Sequence, residues 1–182
     1  MKMLVHRTPS VEGPPFDLES LKLFMRVDHD IEDSLIEEMG RTAAAEIEKF
    51  AQIALLNQMI RVTLFDPSLG NGLSLPIGPV ALDHTPTVTV EGVSFTDFDF
   101  EGGIRPYLRW QTDWSCSASS PARVVIEYEA GFGEAASSIP PDLMQALKDQ
   151  TSMHYDGRGP DDIRATSPHM ARIGARYRGV QL

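Results

Sequence analysis

Cysteine is almost absent from this 182-residue chain: Cys116 is the only one, so no intrachain disulfide can form and no cysteine-based zinc cluster can be built from the chain alone. A reducing compartment fits that usage. Long apolar runs are missing too, all of them far short of the roughly 18 residues that a membrane span requires. The apolar segment within Met1 to Thr8 is too short for a secretory signal. The expectation is a soluble intracellular product with no membrane partner. Positive charge is scarce, 16 Lys and Arg against 26 Asp and Glu, and the net charge of −10 opposes generic binding to nucleic acid phosphates. No H-x-x-x-H or H-E-x-x-H pair occurs among the scattered His6, His29, His84, His154 and His169, and no G-x-S-x-G elbow is present.

What is present suffices for a core, since 42% of the residues are apolar and the length suits one compact domain with extensions. Residues 1–16 hold Pro9, Gly13, Pro14 and Pro15 without any period, which predicts an extended or mobile arm. Asp17 has the position of an N-cap for a short helix with Leu18, Leu21 and Met25 on one face. Asp30, with Asp33 three residues on, has the spacing of a cap for the next helix. Leu35, Met39, Ala43, Ile47, Phe50 and Ala54 recur at steps of four or three and predict a long helix to about Asn57.

From 59 to 132 the texture turns to short alternating runs between Gly and Pro. Strands are predicted at 59–65, 73–77, 87–93, 98–100, 107–110 and 123–128, with a Ser-rich loop at 111–122. Helical spacing returns at 140–156, with Pro141 in the first turn and Leu143, Ala146, Leu147 and His154 on one face. The fold class read from this order is α+β: a small helical bundle, two N-terminal helices plus a C-terminal one, with an inserted antiparallel β-rich region and an extended C-terminal tail. The tail, 157–182, has five arginines against two acids; it carries +3 and leaves −13 on the rest. Its apolar residues are too few to predict firm packing.

Several motifs imitate chemistry. Gly131-Phe132-Gly133-Glu134-Ala135-Ala136 satisfies the G-x-G-x-x-G/A fingerprint, but a dinucleotide turn must lead straight into a helix within a strand–helix–strand unit. Here "SSIPP" follows and no parallel strand comes after, so the two glycines are read as positive-φ turn residues. "DFDFEGG" at 97–103 begins like a calcium loop, yet the position that needs a bidentate acid is Leu108; Asp97, Asp99 and Glu101 are read as a solvated strand face. Asp28, His29 and Asp30 could approach a zinc ion only if adjacent side chains converged, and capping accounts for the aspartates. Cys116 has no neighbouring histidine in sequence. No cofactor, metal or catalytic residue is expected.

"LKLFMRVDHDIEDSLIEEMGRTAAAEIE", "LPIGPV" ahead of a strand, "VVIEYEAGFGEAASSIPPDLMQALKDQTSMHYDGRG" and the closing "ARYRGVQL" follow one another in an order that resembles the head–tail connector (adaptor) proteins of tailed bacteriophages and gene transfer agents. The resemblance spans roughly residues 17–182, so that 17–156 is a connector domain between the arm and the tail. It implies a non-enzymatic virion protein assembled in the bacterial cytoplasm: a homo-oligomeric ring, twelve subunits being the expected number, beneath the portal protein. Tail-side stopper or terminator proteins would attach to the opposite face, and DNA would pass through the lumen without specific binding. The portal-binding residues implied are Arg158, Arg164, Arg172, Arg176, Tyr177 and Arg178 of the tail, which is expected to fold on binding. Infectious phage and gene transfer agent both fit. The competing readings are a small soluble enzyme using the Gly131–Gly133 turn and a regulatory binding module using the basic tail.

Overall fold

A computed structural model of the chain describes residues 2–65, 70–112, 122–157 and 166–178. The fold is α+β and divides into two compact units, a sheet unit of residues 1–11 and 57–131 and a helical unit of 12–56 and 132–182.

The sheet unit contains β1 (Lys2–Pro9), β2 (Gln58–Phe65), β3 (Gly72–Ser74), β4 (Thr87–Val90), β5 (Val93–Phe95), β6 (Phe98–Glu101), β7 (Tyr107–Trp110) and β8 (Arg123–Ala130). They form a five-stranded sheet in the order β1-β2-β8-β4-β5 and a three-stranded sheet in the order β3-β7-β6, antiparallel at every pair. β2 and β8 sit inside the larger sheet because their alternation supplies a continuous apolar face. Ile60 faces Tyr128 across the pair, Val62 faces Ile126 and Leu64 faces Val124, and all six are buried. Each such side chain contributes about 1.5–3 kcal/mol on burial. The Tyr128 hydroxyl accepts a hydrogen bond from the Ile77 N–H at 3.3 Å, and burial pushes its pKa upward.

Three strand expectations change. Residues 2–9, expected as an arm, are extended but fully paired with β2, from Lys2 opposite Phe65 to Pro9 opposite Gln58. The run 87–93 is a hairpin, not one strand: Glu91 and Gly92 both take positive φ, 51° and 81°, the pairing of signs that a two-residue hairpin turn requires. The run 73–77 is regular only to Ser74, and Leu75 and Ile77 are buried beyond the strand. Of the loop expected at 111–122, residues 113–121 lie outside the described residues.

The helical unit contains α1 (Leu18–Met25), α2 (Asp33–Ala51), α3 (Pro141–Asp156) and α4 (Pro168–Tyr177). Asp17 caps α1 as expected, its carboxylate accepting from the Ser20 N–H at 2.9 Å. Asp30 does not cap α2, which opens at Asp33 after Glu32 with no side-chain cap. Asp30 and Asp33 instead hold the Lys22 ammonium, at 2.6 and 2.8 Å, while the Lys22 side chain is only 5% exposed. An ammonium taken out of water persists only with such partners.

The buried line of α2 is Ile36, Gly40, Ala43, Ala44, Ile47 and Ala51, shifted by about one residue from the predicted stripe, of which Leu35, Met39 and Phe50 are only half-buried. Gly40 lies on that line. A Cβ there would lie 2.6 Å from Cζ of Phe16, so the missing side chain admits the buried Phe16 ring against the helix. The helix ends at Ala51 rather than near Asn57, with Gln52 in the left-handed region at φ 56°. Ile53, Ala54, Leu55 and Leu56 follow, all buried, and four consecutive buried residues cannot share one face of a helix.

The Lys22 clamp makes stability depend on pH in a defined direction. The hydrogen bond and charge of Lys22 hold the Asp30 carboxyl below its usual 3.8, and hydrogen bonds from Lys22 to Asp30 and then Asp33 hold the ammonium pKa above its usual 10.5. The Asp30 contribution is therefore present above 3.8 and lost as pH falls through the lowered value; that of Lys22 is present below 10.5 and lost only at higher pH. Lys22→Met is expected to unfold at lower urea than the parent at pH 7, with the gap narrowing at pH 3. A gap of constant size would show that the ion pairs contribute nothing to it.

Candidate interaction surfaces

α4 begins where Ser167 and Pro168 supply a cap and a first-turn proline; the Ser167 hydroxyl accepts from the Met170 N–H at 3.0 Å. Met170, Ile173 and Gly174 form its buried side. A Cβ on Gly174 would lie 2.5 Å from Cδ1 of Phe50, so the glycine lets α4 lie directly on α2. Polar contacts fix the register. The Ser167 N–H donates to Oε1 of the fully buried Gln150 at 2.7 Å, while Gln150 Nε2 donates to Glu46 at 2.8 Å. His154 Nε2 is 2.9 Å from the same Glu46 oxygen, and His169 pairs with Asp149. The Tyr177 hydroxyl donates to Asp142 at 2.9 Å, and partial burial with that bond pushes its pKa up to about 12. Phe132 meets the Tyr177 ring edge to face at 6.1 Å, and the Arg178 guanidinium lies over the Phe50 ring at 5.8 Å from its centroid.

The tail expected to be extended is thus, over 168–177, a helix seated on α2 and α3. Tyr177 is engaged within the chain. Arg172, Arg176 and Arg178 are exposed, and Arg172 and Arg176, four residues apart, project together from the face opposite Met170 and Ile173. Arg158 and Arg164 lie outside the described residues. Gln150 and Ser167 were missed in the sequence because a buried polar side chain carries no periodic signal; the Ser-Pro pair was the available clue.

The imitative motifs are now placed. Gly131 and Gly133 have φ of 152° and 147°, and a single 3-10 turn at Ala136–Ser138 separates them from α3, so no helix N-terminus faces these glycines. Asp97 and Asp99 are exposed beside and on β6, and Asp99 accepts from the Gln111 side chain at 2.8 Å. Among the described residues no group of three His, Cys, Asp or Glu is placed to hold a metal ion, and no helix is long and apolar enough to cross a membrane.

The five-stranded sheet presents two unlike edges. β1, eight residues long, leaves Leu4 48% and Val5 41% exposed; at the far edge β5 has three residues and Val93 69% exposed.

No family model matches the chain, and no curated protein matches its sequence. Solved structures do match, and three of them belong to one kind of particle. The chain is 25% identical, with a TM-score of 0.75, to a chain in the neck of an empty gene transfer agent (GTA) particle computed with C6 symmetry. It is equally identical, at TM-score 0.74, to one in the virion of the native particle. The same identity and a TM-score of 0.70 relate it to one in the native neck computed with C12 symmetry. Each match covers 98% of this chain and 97% of the other. The resemblance to head–tail connector proteins read from the sequence is therefore found again in the fold, across both units.

Proposed function

We propose that the chain is a structural protein of the neck, at the head–tail junction of a gene transfer agent or related phage-like particle, and that it forms the adaptor ring beneath the portal. The observation that carries this reading is the end-to-end likeness to neck chains, 98% of one covered by 97% of the other. Necks with C6 and C12 symmetry favour a ring of copies for this chain too. A net charge of −10 suits a ring through which DNA passes, since an acidic wall repels phosphate. The exposed Arg172 and Arg176 of α4, with Arg178, Arg158 and Arg164, are the cations offered to the portal; tail-side proteins take the opposite face.

The test is Arg172→Glu with Arg176→Glu, two exposed positions whose reversal should move stability by no more than about 0.5 kcal/mol. Tailed, DNA-retaining particles counted by electron microscopy are expected to fall several-fold while the protein's melting curve stays in place. Undiminished particle counts would remove α4 from the portal contact. Absence of the chain from purified particles would end the structural reading altogether.

A further inference from the structure

We infer that Asn71 is a site of spontaneous modification, at which the backbone nitrogen of Gly72 closes on the side-chain amide and the chain accumulates isoaspartate and aspartate. Ring closure needs an exposed asparagine, a next residue with no side chain in the way, and a nitrogen whose proton is not held in a hydrogen bond. The chain has two asparagines, Asn57 and Asn71, and only Asn71 precedes a glycine. Asn71 is exposed in the bend that leads into β3. Its carbonyl accepts from the Trp110 N–H at 3.1 Å, and the Leu75 N–H donates to the Pro106 carbonyl at 2.9 Å. Bonded positions alternate in an antiparallel pair, so residues 71, 73 and 75 bond toward β7 while Gly72, opposite Arg109, turns its N–H away. β3 is an edge of the three-stranded sheet, so among the described residues no further strand receives that N–H. Packing holds the glycine in place: a Cβ on Gly72 would lie 2.6 Å from the Leu108 carbonyl oxygen and would overlap the Tyr107 hydroxyl.

Asp156-Gly157 is the contrasting pair. Its aspartate is also exposed and would close the same ring with loss of water, but the Gly157 N–H donates to the Met153 carbonyl at 3.0 Å as the closing bond of α3. The sequence offers both pairs, and the structure selects Asn71. There the Gly72 nitrogen gives up its proton to solvent base and forms a bond to Cγ of Asn71, whose amide nitrogen takes up a proton and leaves as ammonia. Water then adds at either carbonyl of the succinimide. One opening gives aspartate and the other isoaspartate, with no oxidant, metal or cofactor taking part. Closure requires the Asn71 carbonyl to swing off the Trp110 N–H, a single hydrogen bond at the start of a three-residue edge strand, where local opening costs least. Isoaspartate carries the main chain through an added carbon, which displaces that carbonyl from Trp110, and either product adds a negative charge.

The test follows the full-length parent protein in mildly alkaline buffer, folded and in urea, by peptide mapping in the mass spectrometer and isoaspartyl methyltransferase labelling over time. In the folded chain, conversion at Asn71 is expected to run several-fold faster than at Asn57, with release of ammonia and isoaspartate among the products. Unfolding in urea is expected to accelerate isomerisation at Asp156 several-fold, because the Gly157 N–H is released, and to accelerate conversion at Asn71 by less. Asn71→Gln, which keeps the amide but would need a larger ring, should remove the signal at 71 and leave that at Asp156 unchanged. Conversion at Asn71 that is no faster than at Asn57, or that occurs only in urea, would overturn the site. An acceleration in urea as large at Asn71 as at Asp156 would overturn the part given to the Gly72 N–H. The measurement is made on the isolated protein, so its outcome is independent of the neck reading.

Discussion

Removing residues 166–182 is expected to cost the helical unit about 5 kcal/mol, a large share of the 5–15 kcal/mol by which a domain is stable. Met170 and Ile173, each 2% exposed, lose their burial, worth about 1.5–3 kcal/mol apiece. The deletion also takes away the Ser167 N–H from Gln150 Oε1, and a buried acceptor left without its donor costs about 1–3 kcal/mol. Phe50 loses both the Gly174 backbone it packs on and the Arg178 guanidinium above it. At about 2–4 °C per kcal/mol for a chain of this size, the thermal midpoint should drop by about 10–20 °C. An unchanged midpoint in calorimetry would show that α4 is seated without energetic consequence. The truncation would abolish particle assembly by unfolding the bundle as readily as by removing a partner contact, which is why the paired reversal of Arg172 and Arg176 is the sharper functional test.

That α4 packs at all was poorly legible from sequence. Hydrophobic count argued for a loose tail, but the helix is held by a close approach at glycine and by side-chain hydrogen bonds, and neither adds to a hydrophobic pattern. β1 was hidden for the opposite reason. An edge strand exposed on both faces shows no alternation of burial, so "KMLVHRTP" has strand composition without strand period. The central strands were legible because burial on one face imposes period two, as at Ile60, Val62 and Leu64. α1, α2 and α3 were likewise legible, apart from the far end of α2. There the continued apolar run "IALL" imitates more helix, although four successive apolar residues fit a fully buried connection better than an amphipathic stripe. The surfaces were legible as charge, in the acidic body and the basic C-terminal segment. Their geometry was not, since it depends on which strands become edges.

Gly133→Val is also expected to have a large effect, and it separates the turn reading of "GFGEAA" from the cofactor reading. Gly133 has φ of 147°, a region open in practice to glycine alone, and holding another residue there costs about 1–3 kcal/mol. The added Cβ would also lie 2.7 Å from Cβ and Oγ of Ser138, an overlap whose relief costs about 1–3 kcal/mol more. A loss of about 3 kcal/mol, or about 6–12 °C in midpoint, is therefore expected. Gly133→Ala should lose somewhat less, because it meets the same first overlap and backbone penalty without the branched side chain. A dinucleotide turn would show something else: saturable, stoichiometric binding of nucleotide to the parent, lost in the variant. With no helix N-terminus behind these glycines, nucleotide titration of the parent protein is expected to give no heat above dilution, and the whole effect of the substitution should be read in the melt. Saturable binding that disappears with Gly133→Val would return this chain to the enzymes.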